Sequence, residues 1–331
     1  MSTPIKYDKA FDSLNVKGEI KQNSEDFVVE EIISFEPTGE GEHLFLWVQK
    51  RDQNTTWLAK QIARWAKVEP RKVNFGGLKD RYAVTRQWFS IYLPGKADPD
   101  LEKFNLDGCE ILKATRHNKA LKHSALRGNR FTIKVSDLCS NNQALTDADL
   151  PKIIERIELI KAKGLPNYFG EQRFGIDGGN LEVATRLFEG TSDDDQLSQR
   201  MAVSAARSHM FNLVLQQRIQ NNTWSQYAKG DVCMLNGSKS FFVPNDADLI
   251  DVPARMQCFD IHPTGLMFGK GDLHVTQKVG ALEQSIIEQE SLFAKGLKGR
   301  NLPMERRALR VKLHDFSYQV TPESIHLSFM L

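Results

Sequence analysis

The sequence is poor in the residues that build metal centres and redox sites. Its four cysteines, Cys109, Cys139, Cys233 and Cys258, lie far apart and form no Cys-x-x-Cys pair, which excludes a zinc knuckle or a thiol redox motif and suits a reduced intracellular protein. The eight histidines are scattered singly. No His-Glu-x-x-His occurs and no serine sits in a Gly-x-Ser-x-Gly elbow, so zinc-hydrolase and serine-triad chemistry have no motif. No apolar run approaches bilayer-spanning length, and residues 1–9 are polar, without the apolar stretch of a signal peptide. A soluble, cytoplasmic protein is expected. Repeats and low-complexity tracts are absent. Residues 265–271, Gly-Leu-Met-Phe-Gly-Lys-Gly, have glycine spacing like that of a phosphate loop but lack the Gly-Lys-Ser/Thr ending, and read as a surface turn.

A length of 331 residues favours two domains. The first third reads as strands with one helix. Residues 26–33 and 43–48 are β-rich runs on either side of the turn-forming Pro37-Thr38-Gly39-Glu40-Gly41, a pattern that predicts a long hairpin. Thr55 or Thr56 can cap a helix reaching about Ala66, with Leu58, Ile62, Trp65 and Ala66 on one face and Pro70 as its stop. Another strand is expected over residues 87–93. The texture changes at the polar stretch 141–148, after which Leu150, Ile153, Ile154, Ile157 and Ile160 mark one face of a helix that ends at Gly164. Helices over residues 181–188 and 196–219 follow, with Asp193-Asp194-Asp195 as a solvated loop and helix N-terminal charge. Short strands and turns then precede a helix over 281–293, and the tail, 310–318 and 324–330, returns to strands. Similar texture at both ends predicts one β-rich domain, residues 1–150 and 305–331, interrupted by a helical insertion at 151–304.

The densest chemistry lies in residues 73–90, Val-Asn-Phe-Gly-Gly-Leu-Lys-Asp-Arg-Tyr-Ala-Val-Thr-Arg-Gln-Trp-Phe-Ser. The pair Gly76-Gly77 lets backbone approach a ligand closely or turn at positive φ. Asp80 stands between Lys79 and Arg81, whose attraction favours a carboxylate, and a carboxylate on a loop between strands can serve as nucleophile or base. A tight turn with a solvated Lys-Asp-Arg tip is the other reading these residues allow. A second dense segment, Pro166-Asn167-Tyr168-Phe169-Gly170-Glu171-Gln172-Arg173-Phe174-Gly175, has the mixture of aromatics, amides, arginine and glycine on which unpaired bases stack. It also reads as a loop between helices with Tyr168, Phe169 and Phe174 as a small core. Net charge is only +2, yet Lys113, Arg116, Lys119, Lys122, Arg127, Arg130 and Lys134 fall in a stretch without Asp or Glu, a face that would attract a polyanion. Lys295, Lys298, Arg300, Arg306, Arg307, Arg310 and Lys312 form a second such group; either group could equally be a solvated face.

Together these segments resemble the TruD family of tRNA pseudouridine synthases over nearly the whole chain. Gly77-Leu78-Lys79-Asp80-Arg81 followed by Ala83-Val84-Thr85 and Gln87-Trp88 resembles the family's nucleophile motif. Asn167 with Gly170-x-Gln172-Arg173-Phe174-Gly175 resembles its second signature, and Arg207-Ser208-x-x-Phe211-Asn212 is similar to a third. Residues 25–31, Gly128-Asn129-Arg130-Phe131 and Leu327-Ser328-Phe329 complete the likeness.

The resemblance implies an α+β fold, a pseudouridine synthase catalytic domain on a mixed, mainly antiparallel sheet interrupted by a family-specific α/β insertion domain. It implies isomerisation of uridine to pseudouridine at position 13, in the D-arm of tRNA, by base flipping and an aspartate nucleophile, Asp80, with no metal or organic cofactor. The implied partner is tRNA, and a monomer is expected. Lys21, upstream of the Phe27 strand, resembles the family's basic partner of the aspartate; an ordinary exposed lysine at a strand end is the other reading. Phe27, Asn129, Phe131 and Phe329 match the lining of the uridine pocket, Phe131 standing where the wider pseudouridine synthase group often has tyrosine. Core packing of alternating strands is the alternative for the three phenylalanines. Members of the family generally continue past the Leu-Ser-Phe strand into a Leu-Pro-containing segment and a helix, whereas this sequence stops at Leu331; either the sequence is truncated or this member is short, and if a helix is missing the apolar surface it would cover on the catalytic domain is exposed. The competing classes are a non-catalytic RNA-binding protein, and an aspartate-based hydrolase or metal-dependent nuclease that would release free base or cut RNA.

Overall fold

The computed structural model describes residues 6–331. They divide into two compact units: a sheet unit, Ser13–Ile157 with Leu313–Leu331, and a helical unit, residues 6–12 with Glu158–Lys312.

The sheet unit opens with β1 (Val16–Ile20), β2 (Phe27–Ile33) and β3 (His43–Arg51). In β3 Leu44, Phe45, Leu46 and Val48 are all wholly buried, as in a strand covered on both faces. Helix α1 (Thr55–Trp65) covers one of them, setting Leu58 and Ile62 among Leu44, Leu46 and Val48. Its cap is Asn54, whose side-chain oxygen accepts from the backbone N–H of Thr56 at 2.9 Å and of Trp57 at 3.3 Å. That leaves the Thr55 hydroxyl to donate to Gln87 at 3.0 Å. Next come β4 (Val73–Phe75), β5 (Val84–Tyr92), β6 (Cys109–His117), the long β7 (Leu126–Ser140) and the short β8 (Gln143–Ala144). Helix α2 (Leu150–Lys163) begins here, packing Ile153 and Ile157 with Leu138 and Leu145. The division between units falls within it.

The expected hairpin of residues 26–33 with 43–48 does not form. Strand β5 lies between β2 and β3, parallel to the first and antiparallel to the second. Parallel neighbours need a crossover, which β3, α1 and β4 supply, and β5 suits the central place because Trp88, Phe89 and Ile91 are all buried.

In the helical unit β9 (Leu165–Pro166) precedes α3 (Gly179–Glu189) and α4 (Gln196–Gln220). Asp195 caps α4 by accepting from Leu197 and Ser198. Then follow β10 (Cys233–Leu235), β11 (Phe241–Phe242), α5 (Val252–Gln257), β12 (Ile261–Met267), α6 (Gln277–Gln289), α7 (Ser291–Lys298), β13 (Glu305–Ala308) and β14 (Arg310–Val311). The single helix expected over 281–293 is thus two, parted at Glu290. The four-stranded sheet runs β11-β10-β12-β13, and β14 pairs with β9. Helix α4 carries the core, with Ala202, Ala206, Met210 and Val214 wholly buried at four-residue spacing. The glycine-rich 265–271 segment is no surface turn. Gly265 lies in buried β12, where a Cβ would come within 3.1 Å of the Phe211 ring of α4 and 2.9 Å of Leu309, so the glycine is what lets helix and sheet close up.

The chain returns through β15 (His314–Val320) and β16 (Ile325–Met330) to complete a ten-stranded sheet, ordered β15-β16-β7-β2-β5-β3-β6, with β1 and β8 on β7 and β4 on β5. All its pairings are antiparallel except β2 with β5. The return comes at residue 313 rather than 305, because β13 and β14 pair within the helical unit.

Candidate active site

Register builds one face of the sheet. Phe131 of β7 stands opposite Val29 of β2 on one side and Phe329 of β16 on the other, while Asn129 stands opposite Glu31. Opposed residues share a face, so Phe131 and Phe329 stack at 5.5 Å between ring centroids and Phe27 meets Phe131 edge-on at 6.3 Å. All three are only partly buried. Asn129 exchanges backbone bonds with Leu331 at 2.7 and 2.9 Å, and its side-chain oxygen is buried with no partner among the described residues. A buried acceptor without a donor costs about 1–3 kcal/mol.

Asp80 lies on the loop between β4 and β5, its side chain 48% exposed, and accepts from the Lys21 ammonium at 2.7 Å. Lys21 follows β1 with φ of 60°, a left-handed conformation unusual for lysine. Its ammonium also lies 4.0 Å from the centroid of Phe27. Asp80, Lys21, Phe27, Phe131 and Phe329 therefore form a continuous chain of contacts, with Asn129 on the same strand as Phe131.

The residues flanking Asp80 do something other than expected. Lys79 turns away to the buried carboxylate of Glu31 at 2.9 Å, and Glu31 also accepts from the Trp88 backbone at 3.0 Å. Arg81 donates to the Asp52 carbonyl at 3.3 Å. The loop is held instead by Lys50, wholly buried at the end of β3, which donates to the Asp80 carbonyl at 2.7 Å. Burial pulls its ammonium down to about 8. Gln87 adds a bond to the Gly77 carbonyl at 3.2 Å, and Thr55 accepts from the Lys79 N–H at 3.1 Å. Neither glycine adopts positive φ. Gly76 is needed because a Cβ there would fall 2.6 Å from Leu126, an internal close approach rather than one to a ligand.

The comparisons with known proteins agree along the whole chain. The sequence model of tRNA pseudouridine synthase D (TruD) matches residues 9–194 and 194–331. The chain belongs to the TruD family. Among its TruD relatives, tRNA pseudouridine synthase D of Hydrogenovibrio crunogenus is 42% identical over 88% of this chain and 82% of its own. That of Methylococcus capsulatus is 40% identical over 98% of this chain and 89% of its own. A crystal structure of a candidate TruD from Methanosarcina mazei matches with a TM-score of 0.77, covering 98% of this chain and 92% of its own, at 19% identity; at that identity the likeness speaks to the fold alone. The α+β class and mixed sheet expected from the sequence are those of this TruD neighbour.

In this TruD-family chain the two basic groups are sorted by their partners. Of the 113–134 group, Arg116 is tied to Asp98 and to the Leu93 and Lys96 carbonyls, Arg130 to Asp315 and Lys134 to Asp26. Lys113, Lys119, Lys122 and Arg127 are exposed. In the 295–312 group, Arg306 forms a wholly buried pair with Glu283 and Arg310 is buried on the Met256 and Ile261 carbonyls, so neither serves as a phosphate contact. Lys50 escaped the sequence reading, although alternation marks it: it continues the buried face of Leu44, Leu46 and Val48 as its one charge. Among the described residues no cluster of three or more His, Cys, Asp or Glu is placed to hold a metal.

Proposed function

We propose that this chain is a tRNA pseudouridine synthase that isomerises uridine 13 of the D-arm, with Asp80 as its nucleophile. One observation carries the reading: in a TruD-family chain, the half-exposed Asp80 carboxylate meets Lys21 at 2.7 Å, and Lys21 borders the cluster of partly buried phenylalanines.

The reaction breaks the N1–C1′ bond of uridine, turns the uracil and joins C1′ to C5. The proton lost from C5 is balanced by one gained at N1, so the nucleotide keeps its mass and needs no second substrate. Asp80 can begin it by adding to C1′, by adding to C6 of the base, or by taking the C2′ proton; each starts from the same carboxylate. The detached uracil must be kept in place. Stacking against Phe131 and its neighbours supplies about 1–3 kcal/mol per aromatic, the order needed to take a nucleotide out of its stack. The unpartnered oxygen of Asn129 suits the uracil N3–H. The cation of Lys21 orients the carboxylate.

The test is incubation of unmodified tRNA in chelator with the wild-type chain and with Asp80→Asn, followed by mass-silent pseudouridine detection and mapping. The wild type is expected to convert uridine 13, and the variant to be slower by on the order of 10³-fold or more while binding tRNA equally. Equal rates for both, release of free base, or cut RNA would each sink the proposal.

A further inference from the structure

The second motif of the sequence is not used by the site around Asp80; it belongs to the helical unit. There it lines an open cleft of about 860 Å³ whose wall includes Phe169, Glu171, Gln172, Arg173, Asn180 and Arg200. A second cleft of about 570 Å³ shares Arg200 and Ser204 and continues to Arg207 and Arg300. Each has the volume of a ligand-binding site.

Their charge is unbalanced. Arg173 donates to Ser204 at 3.0 Å and sits 5.2 Å from the Phe169 ring; neither it nor Arg200 or Arg300 has a carboxylate partner among the described residues. Behind Phe169, Arg307 lies 4.1 Å from the ring and bonds to the Asn167 side chain at 2.7 Å, also without a carboxylate, and its Nε is buried without a partner. Burial, then repulsion from Arg173, pushes Arg307 down to about 10. The same unit pairs other arginines with carboxylates, Arg207 with Glu305, Arg218 with Asp231 and Arg306 with Glu283, while Arg310 is buried on carbonyls alone. Arg173, Arg200 and Arg300, left without a carboxylate, outnumber Glu171 of the first cleft, and such a face fits an anion supplied from outside.

We propose that these joined clefts hold an unpaired stretch of the RNA substrate, its phosphates on Arg200 and Arg300 and one base against Phe169 and Arg173, with the Gln172 and Asn180 amides at its edge. The pattern suits RNA because bases stack on phenyl and guanidinium planes and amides read their edges. A chain of nucleotides fits better than one, since the cations run from the first cleft into the second. The inference rests on the RNA-modifying activity proposed above, and it gives the helical unit a binding site that does not include Asp80.

Arg200 is exposed and its side chain makes no hydrogen bond or ion pair among the described residues, so Arg200→Glu tests the site without disturbing the core; equal melting temperatures check this. Binding of fluorescein-labelled unmodified tRNA is measured by anisotropy across a salt series, alongside the single-turnover rate at saturating enzyme. Arg200→Glu is expected to weaken binding about tenfold, flatten the slope of log Kd against log salt by about 1, and leave the saturated rate unchanged, with Arg200→Gln between it and wild type. Unchanged affinity and slope would overturn the proposal. So would displacement of the labelled tRNA by millimolar uridine monophosphate, which would make this a mononucleotide site. If Arg200→Glu weakens tRNA binding but the wild type makes no pseudouridine, the cleft stands and the proposed activity falls.

Discussion

In the helical unit Arg218 and Arg306 each hold a wholly buried carboxylate through two bonds of 2.6–2.7 Å, whereas in the sheet unit Lys21 meets Asp80 through one 2.7 Å contact with both side chains a third to a half exposed. The difference is one of purpose. A bidentate, desolvated pair fixes a core and can do nothing else, because either charge alone would be stranded in a medium that cannot solvate it. A single exposed contact orients a carboxylate without consuming it. Lys50 lies between these extremes, as buried as the struts but aimed at the Asp80 backbone.

The sharpest way to break this comparison is Glu283→Gln. It leaves the Arg306 guanidinium buried without its counter-charge, and a loss of about 3–5 kcal/mol in urea unfolding is expected. Glu283→Leu combined with Arg306→Met should recover much of that loss, since an apolar pair has no charge to desolvate. A loss below about 1 kcal/mol for Glu283→Gln would show that the pair is worth no more than a surface bridge.

Lys50→Met is expected to act on rate before stability. Without the bond to the Asp80 carbonyl the loop loses its anchor, and displacement of a catalytic group by about 1 Å costs on the order of 10² in kcat. Stability should carry a pH signature. In the unfolded chain the ammonium titrates near 10.5, and in the fold at about 8. Between those values the unfolded chain binds the extra proton, so wild-type stability rises with pH; below about 8 both states are charged and the cost of burial is complete. The wild-type minus Lys50→Met difference in unfolding free energy should therefore be flat below pH 8 and climb from there to 10.5. A difference flat throughout would mean that the ammonium is not desolvated.

How much of this was legible beforehand depends on the range of the interaction. Helix α1, the long α4 and strands β2, β3, β5, β15 and β16 are written in local periodicity, and so was a strand-to-strand loop carrying Asp80; β1, β6 and the long β7 that bears Asn129 and Phe131 were not, their alternation being masked by the basic residues along them. The pairing of β2 with β5 rather than β3 was not, because it is set by which strand is buried on both faces after the sheet assembles. The same holds at the site. Lys79 and Arg81 adjoin Asp80 in sequence, yet the groups that reach it are Lys21 and Lys50, 59 and 30 residues away. Lys79 and Arg81 are taken up by Glu31 and the Asp52 carbonyl instead, so adjacency was the wrong guide to charge pairing. Resemblance to a family named Lys21 where pattern could not, and buried alternation along β3 could have named Lys50.

The smallest effect on stability belongs to Lys21, and it decides whether an open ion pair is a device for function. An exposed pair contributes about 0–1 kcal/mol, while the left-handed backbone at Lys21 costs roughly 1–2 kcal/mol in a residue bearing a Cβ. Lys21→Gly removes both terms, so the unfolding free energy should stay the same or rise by up to about 1 kcal/mol. Its pseudouridine-forming rate should nevertheless fall about tenfold, the share of a single orienting contact worth about 1.4 kcal/mol in the transition state. Lys21→Met, which keeps the strain and the apolar stem over Phe27 but loses the charge, should be equally slow and less stable than Lys21→Gly. Strain held at a residue whose removal costs rate and not stability is the mark of a conformation kept for the reaction; a Lys21→Gly variant as fast as wild type would show that the contact with Asp80 only decorates the loop.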